Sequence, residues 1–123
     1  MGNVHRSPES ELPLSPTVFN ILMALADDEA HGYGIMRAVE EFTAGTVKMG
    51  PGTLYGSLDR MLSAGLVKEV SEPMPDAKSR RRRYYRLTDF GLKVLQAEAE
   101  RLRQMVETAR EKGLLRPSRK AAV

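Results

Sequence analysis

Two places in the chain hold residues whose types and spacing could do chemistry. The first is MGPGTLYGSLDRMLSAGLV, Met49 to Val67, in which Gly50, Pro51, Gly52 and Gly56 surround Tyr55 and run into a helical pattern. The second is the stretch from Lys78 to Arg86, with six Lys or Arg and no acid, whereas Met1 to Phe42 holds two Arg against seven Asp or Glu. The net charge of +3 conceals this asymmetry. A local cluster of this sign is where an anion is met, and small residues at a helix start suit a phosphate.

A free nucleotide is the first anion to test. A phosphate-binding loop needs Gly, four residues, then Gly-Lys-Ser/Thr after a buried strand, because the lysine must reach the terminal phosphates while the backbone wraps them. No lysine follows Gly56, and a helix precedes the glycines. The dinucleotide fingerprint requires a βαβ unit for which this chain has no pattern. The phosphate is then better sought in a polymer.

The elements that must position these residues follow from hydrophobic spacing. Ser15-Pro16 reads as an N-cap followed by proline at the first helical position, and Val18, Ile21, Leu22 and Leu25 predict a helix to about Ala26. The segment DDEAHGYG turns the chain. Ile35, Met36, Val39 and Phe42 predict a second helix from about Gly34, stopped at Gly45. A third begins near Pro51, buries Leu54, Leu58, Met61 and Leu62, and ends at Gly65. Leu66 to Val70 and RRRRYYRL then form a β-hairpin, with SEPMPDAKS as its long tip. Thr88-Asp89 caps a long helix in which Leu92, Leu95, Ala99, Leu102, Val106 and Ala109 recur in heptad steps.

The resulting fold class is α+β and mostly α: a winged helix-turn-helix made of a three-helix cluster plus a β-hairpin wing, with a long C-terminal helix for dimerisation. Residues 1–13 are expected as a flexible arm, 14–87 as the winged-helix domain, 88–115 as the dimerisation helix and 116–123 as a basic tail. At about 100° per residue, the third helix turns Gly52, Thr53, Gly56, Asp59, Arg60 and Ser63 outward, with Tyr55 and Ser57 on its flanks. Such a slim outer start fits a major groove about 12 Å wide. Thr53 and Tyr55 then reach phosphates or base edges, Arg60 reaches backbone or guanine, and Lys48 stands just ahead of the helix. The same glycines would also serve a turn and a close neighbouring helix. Lys78, Arg80, Arg81, Arg82 and Arg83 supply sequence-independent affinity, each neutralised phosphate adding roughly −0.9 to the salt slope on duplex DNA.

HGYGI at His31 to Ile35, GPGTLYGSLDRMLSAGLV at Gly50 to Val67 and RRRYYRLTDFG at Arg81 to Gly91 together resemble the PadR family of winged helix-turn-helix transcriptional regulators, over about Leu14 to Gly113. The resemblance implies a homodimeric repressor on a palindromic operator, with the third helix in the major groove and the hairpin tip on the DNA backbone. It places the recognition motif on Gly52, Thr53, Leu54 and Tyr55, the wing on Lys78 to Arg83, and Tyr33 near the DNA backbone. Gly34 and Gly56 depart from the family pattern, which commonly has an acidic residue and a proline there.

Other functions find less in the residues. There is no cysteine, and the only histidines, His5 and His31, have no ligand partners in sequence, so neither an enzyme nor a cofactor or metal site is expected. No apolar run approaches the ~20 residues of a spanning helix, so the expected location is the cytoplasm. The expected partners are double-stranded DNA and a second copy of the chain. A small-molecule effector is left open, without the tryptophan that grips flat ligands in some relatives. The competing reading uses the wing and the heptad helix to bind an acidic protein partner.

Overall fold

The computed structural model describes residues 6–70 and 83–116. Four α-helices and a small sheet follow one another: α1 (Pro16–Ala24), β1 (Ala30–His31), α2 (Gly32–Phe42), α3 (Pro51–Ser63), β2 (Val67–Val70), β3 (Tyr84–Leu87) and α4 (Asp89–Glu111). The strands are antiparallel in the order β1-β3-β2, with Ala30 opposite Tyr85, His31 opposite Tyr84 and Val67 opposite Leu87. The fold is thus the expected α+β winged helix, with one strand that the sequence pattern did not show. Ala30–His31 is too short to display alternation, and only its pairing with β3 makes it a strand.

The helices start and stop where local chemistry dictates. Ser15 Oγ accepts from the Val18 N–H, with Pro16 in the first turn. His31 Nδ1 accepts from the Gly34 N–H at 3.1 Å, so α2 begins two residues earlier than its apolar spacing suggested. α3 ends in a double C-cap: the Gly65 N–H donates to Leu62 O and the Leu66 N–H to Met61 O. The same pattern ends α2, where Ala44 rather than Gly45 takes the cap position, at φ 52°.

Ile21, Leu22 and Leu25 of α1, Ile35 and Val39 of α2, and Leu54, Leu58 and Met61 of α3 meet in one core with Leu66, Val67, Tyr85, Val94 and Leu95. Burying these side chains is the main force holding the cluster together, at about 25 cal/mol per Å² of apolar surface removed from water. Phe42, counted in the α2 stripe, is 47% exposed because it falls in the last turn, beyond the core.

α4 joins this core at its start. The Thr88 hydroxyl donates to Gly65 O at 2.5 Å and accepts from the Gly91 N–H at 2.9 Å, fastening the start of α4 to the end of α3. A Cβ at Gly91 would collide with the Leu66 carbonyl, so the two backbones can meet only at a glycine.

The stretch expected as a flexible arm behaves differently over its described residues. Pro8–Glu11 form one 3₁₀ turn, Arg6 lies 4.6 Å above the Phe90 ring, and the Leu14 N–H donates to Glu98 Oε2 at 2.9 Å. These contacts reach far along the chain and have no local periodicity to reveal them.

Candidate nucleic-acid interface

The start of α3 is built to be approached. Gly50, its N-cap, has no side chain to offer, so the first N–H groups of the helix lack a side-chain cap. Around Gly50 and Gly52 a Cβ would meet nothing within 4 Å. Pro51, Gly52, Thr53, Tyr55, Asp59, Arg60 and Ser63 are exposed and Gly56 is half-buried, close to the helical projection. Lys48 is exposed in the turn before the helix, and Tyr33, 61% exposed, stands on the first turn of α2.

Ser57 is a correction. Expected on the DNA-facing flank, it is buried, and its Oγ accepts from an Arg60 guanidinium N–H at 3.2 Å. The spacing explains this, since Ser57 lies three residues after Leu54 and four before Met61, on the stripe that faces the core. Arg60 bends back along α3 to make that bond, and its guanidinium is the atom group nearest to Gly56.

The wing is described only at its base. Lys78, Arg80, Arg81 and Arg82 lie outside the described residues. Arg83 is exposed and pairs with Glu69 of the neighbouring strand at 3.5 Å. Exposed pairs of this kind contribute little, typically below about 1 kcal/mol, so Arg83 can exchange its carboxylate for another anion at small cost. Arg86 borders a shallow concavity with Asp27, Asp28, Glu29 and Asp89, which offset its charge.

An aromatic cluster ties the wing base to the helices. His31 meets Tyr84 of β3 edge-on at 5.3 Å and stacks on Tyr33 at 6.5 Å between ring centroids, and Arg37 lies 5.8 Å from the centre of the Tyr33 ring. The Tyr55 phenol rests on the backbone of Gly32. The exposed start of α3, the start of α2 and the root of the wing therefore adjoin. His31 had no role in the sequence reading. Its place three residues before Gly34 is the capping signal that would have found it.

A family model described as the transcriptional regulator PadR-like family matches residues 21–97. The chain belongs to the PadR-like family. Its members and their structural neighbours are transcription regulators rather than enzymes, and the shared winged helix is a DNA-binding fold. A PadR family transcription regulator from Clostridium difficile is 23% identical, with a TM-score of 0.66, covering 79% of this chain and 97% of that one. RosR from H. salinarum is 26% identical, with a TM-score of 0.60, covering 85% and 99% of the two chains. A 37.1 kDa protein of transposon TN4556 from Streptomyces fradiae is 35% identical over 85 residues, 69% of this chain but 22% of that protein. The chain thus spans about a fifth of the length of this curated relative.

The heptad residues of α4 divide between two environments in this PadR-like chain. Leu95, expected at a dimer seam, is instead buried in the chain's own core beside Val94 and Glu98. Leu92, Ala99 and Val106 are exposed, and Leu102 and Ala109 are half-buried. From Ala99 onward no α4 residue is buried, although Leu102, Met105, Val106 and Ala109 are apolar. No helix among the described residues is long and apolar enough to cross a membrane.

Proposed function

We propose that the chain is a repressor that binds a palindromic duplex operator as a homodimer, with α3 in the major groove. The observation that carries this is the exposed, uncapped start of α3 beside the wing root, on a PadR-like fold. Oriented N–H groups at a helix start favour a phosphate, and Thr53 and Tyr55 stand beside them to meet base edges. Tyr33, Lys48, Gly52, Gly56 and Arg60 border the same approach, and Gly52 and Gly56 keep it slim. Lys78 and Arg80 to Arg83 neutralise backbone phosphates.

The exposed apolar side chains of α4 beyond Ala99 support pairing with a second copy. Two recognition helices related by a two-fold axis then sit about 34 to 36 Å apart, which calls for half-sites one helical turn from each other. An effector, if the cell uses one, acts on this arrangement. The cytoplasm is the compartment in which such a protein meets its operator.

Duplexes selected from random sequence by the protein, and a scrambled duplex of equal composition, test the division of labour. Replacing Arg81, Arg82 and Arg83 with alanine should weaken binding to both duplexes and flatten the salt dependence by up to roughly 2.7 in slope, at 0.9 per phosphate lost. Tyr55→Ala should weaken the selected duplex by about 1–3 kcal/mol more than the scrambled one. Salt-insensitive binding, or a preference for an acidic protein over duplex DNA, would sink the proposal.

A further inference from the structure

Gly32 is the first residue of α2 and is buried. Its backbone does not need a glycine, because the chain's glycines at positive φ are Gly45, Gly65 and Gly113 among the described residues. Helix preference alone favours alanine at such a position. A Cβ there would collide with the Tyr55 Oη, stand 2.7 Å from Tyr55 Cζ and 3.1 Å from Leu54 Cδ2. What the position lacks is the room that the Tyr55 ring occupies.

We infer that Gly32 is a positioning residue for recognition: its bare backbone is the slot that holds the half-exposed Tyr55 ring at the groove-facing start of α3. This rests on the reading of Tyr55 as a DNA contact. Tyr55 is 42% exposed, so one side of the ring lies against α2 while the rest faces outward. A tyrosine loose on its χ angles would lose conformational freedom on meeting DNA, whereas one already held has less to lose. The slot also sets the ring relative to the wing, because the residue before Gly32 is His31, which pairs with Tyr84 of β3 and caps α2.

The clash in a Gly32→Ala protein falls on the far end of an exposed side chain rather than on backbone. The ring therefore turns away and the fold remains. Gly34, on the same helical turn, is the internal control: a Cβ there finds its nearest neighbour, His31 Cε1, at an ordinary 3.6 Å. Gly34→Ala alters helix preference in the same sense without touching Tyr55.

The test measures binding of a duplex selected by the wild-type protein from random sequence, and of a scrambled duplex, to the wild type, Gly32→Ala, Gly34→Ala, Tyr55→Ala and the Gly32→Ala/Tyr55→Ala double variant, with thermal melts of each. Gly32→Ala should lose about tenfold in the ratio of selected to scrambled binding, as Tyr55→Ala does. Gly34→Ala should keep the wild-type ratio, and the double variant should be no worse than Tyr55→Ala alone. If Gly32→Ala unfolds while the double variant folds, the rescue itself supports the slot. If Tyr55→Ala loses discrimination but Gly32→Ala does not, or if the two losses multiply in the double variant, the inference is overturned while the DNA reading stands. If Tyr55→Ala keeps full discrimination, the DNA reading of Tyr55 fails and takes the inference with it.

Discussion

Glu98 is a carboxylate with only 2% of its surface exposed, and its partners explain how it stays charged. The Arg101 guanidinium donates to it twice, at 2.5 and 3.1 Å, and the Leu14 N–H donates to Oε2. These bonds, Arg101's foremost, outweigh burial and hold its pKa below the usual carboxylate value. A depressed folded-state pKa stabilises the fold above the unfolded pKa, and that contribution is lost as pH falls through the folded value. Glu98→Gln should therefore lower stability by about 1–3 kcal/mol near neutral pH, with the gap to wild type closing in acid. Parallel melts at several pH values check this, and a gap that does not change with pH would contradict it. Ser57 and Glu98 also mark how far single residues were legible. Ser57 shares the 3.6 spacing of the α3 core stripe and was readable in principle. Glu98 was not, because the partner that brings it inside, Leu14, lies 84 residues away.

At the scale of elements, capping chemistry is the legible part. Ser15 and Thr88 cap as their types require, and Gly65 ends α3. β1 escaped notice because two residues carry no pattern, and its existence depends on β3, a long-range partner. The stop of α2 shows what local reading leaves out, since Ala44 takes the left-handed cap conformation ahead of Gly45. A residue with a Cβ costs roughly 1–2 kcal/mol there, partly offset by the greater freedom of glycine in the unfolded chain, about 0.4–1 kcal/mol. Ala44→Gly should therefore raise stability by about 0.5–1 kcal/mol, read from a denaturant midpoint with unchanged slope. A lowered midpoint would refute the account.

For the whole molecule, the three-helix cluster, hairpin and long helix were all visible as periodicities, but the division of α4 between core and exposed seam was not. One heptad pattern served both, and only the packing of α1, β3 and the N-terminal turn against α4 shows which part each claims. Leu95 went inward, while Leu102 and Val106 remain on the surface, Val106 46% exposed. Placing charge at the last two, as Leu102→Glu and Val106→Glu, should leave the monomer fold intact and shift the protein from dimer to monomer at micromolar concentration. Sedimentation or light scattering reads this, and the proposed operator binding should fall with it, because two half-sites are then held one at a time. A dimer that survives both charges would move the partner surface elsewhere.

The doubly bonded hydroxyl of Thr88 carries a mechanical meaning. It grips the chain just past α3 with one bond and the first turn of α4 with the other, so the two rods share a joint with little play. Whatever re-angles the long rod, whether a bound metabolite or the mate it pairs with, works as a crank on the reading rod.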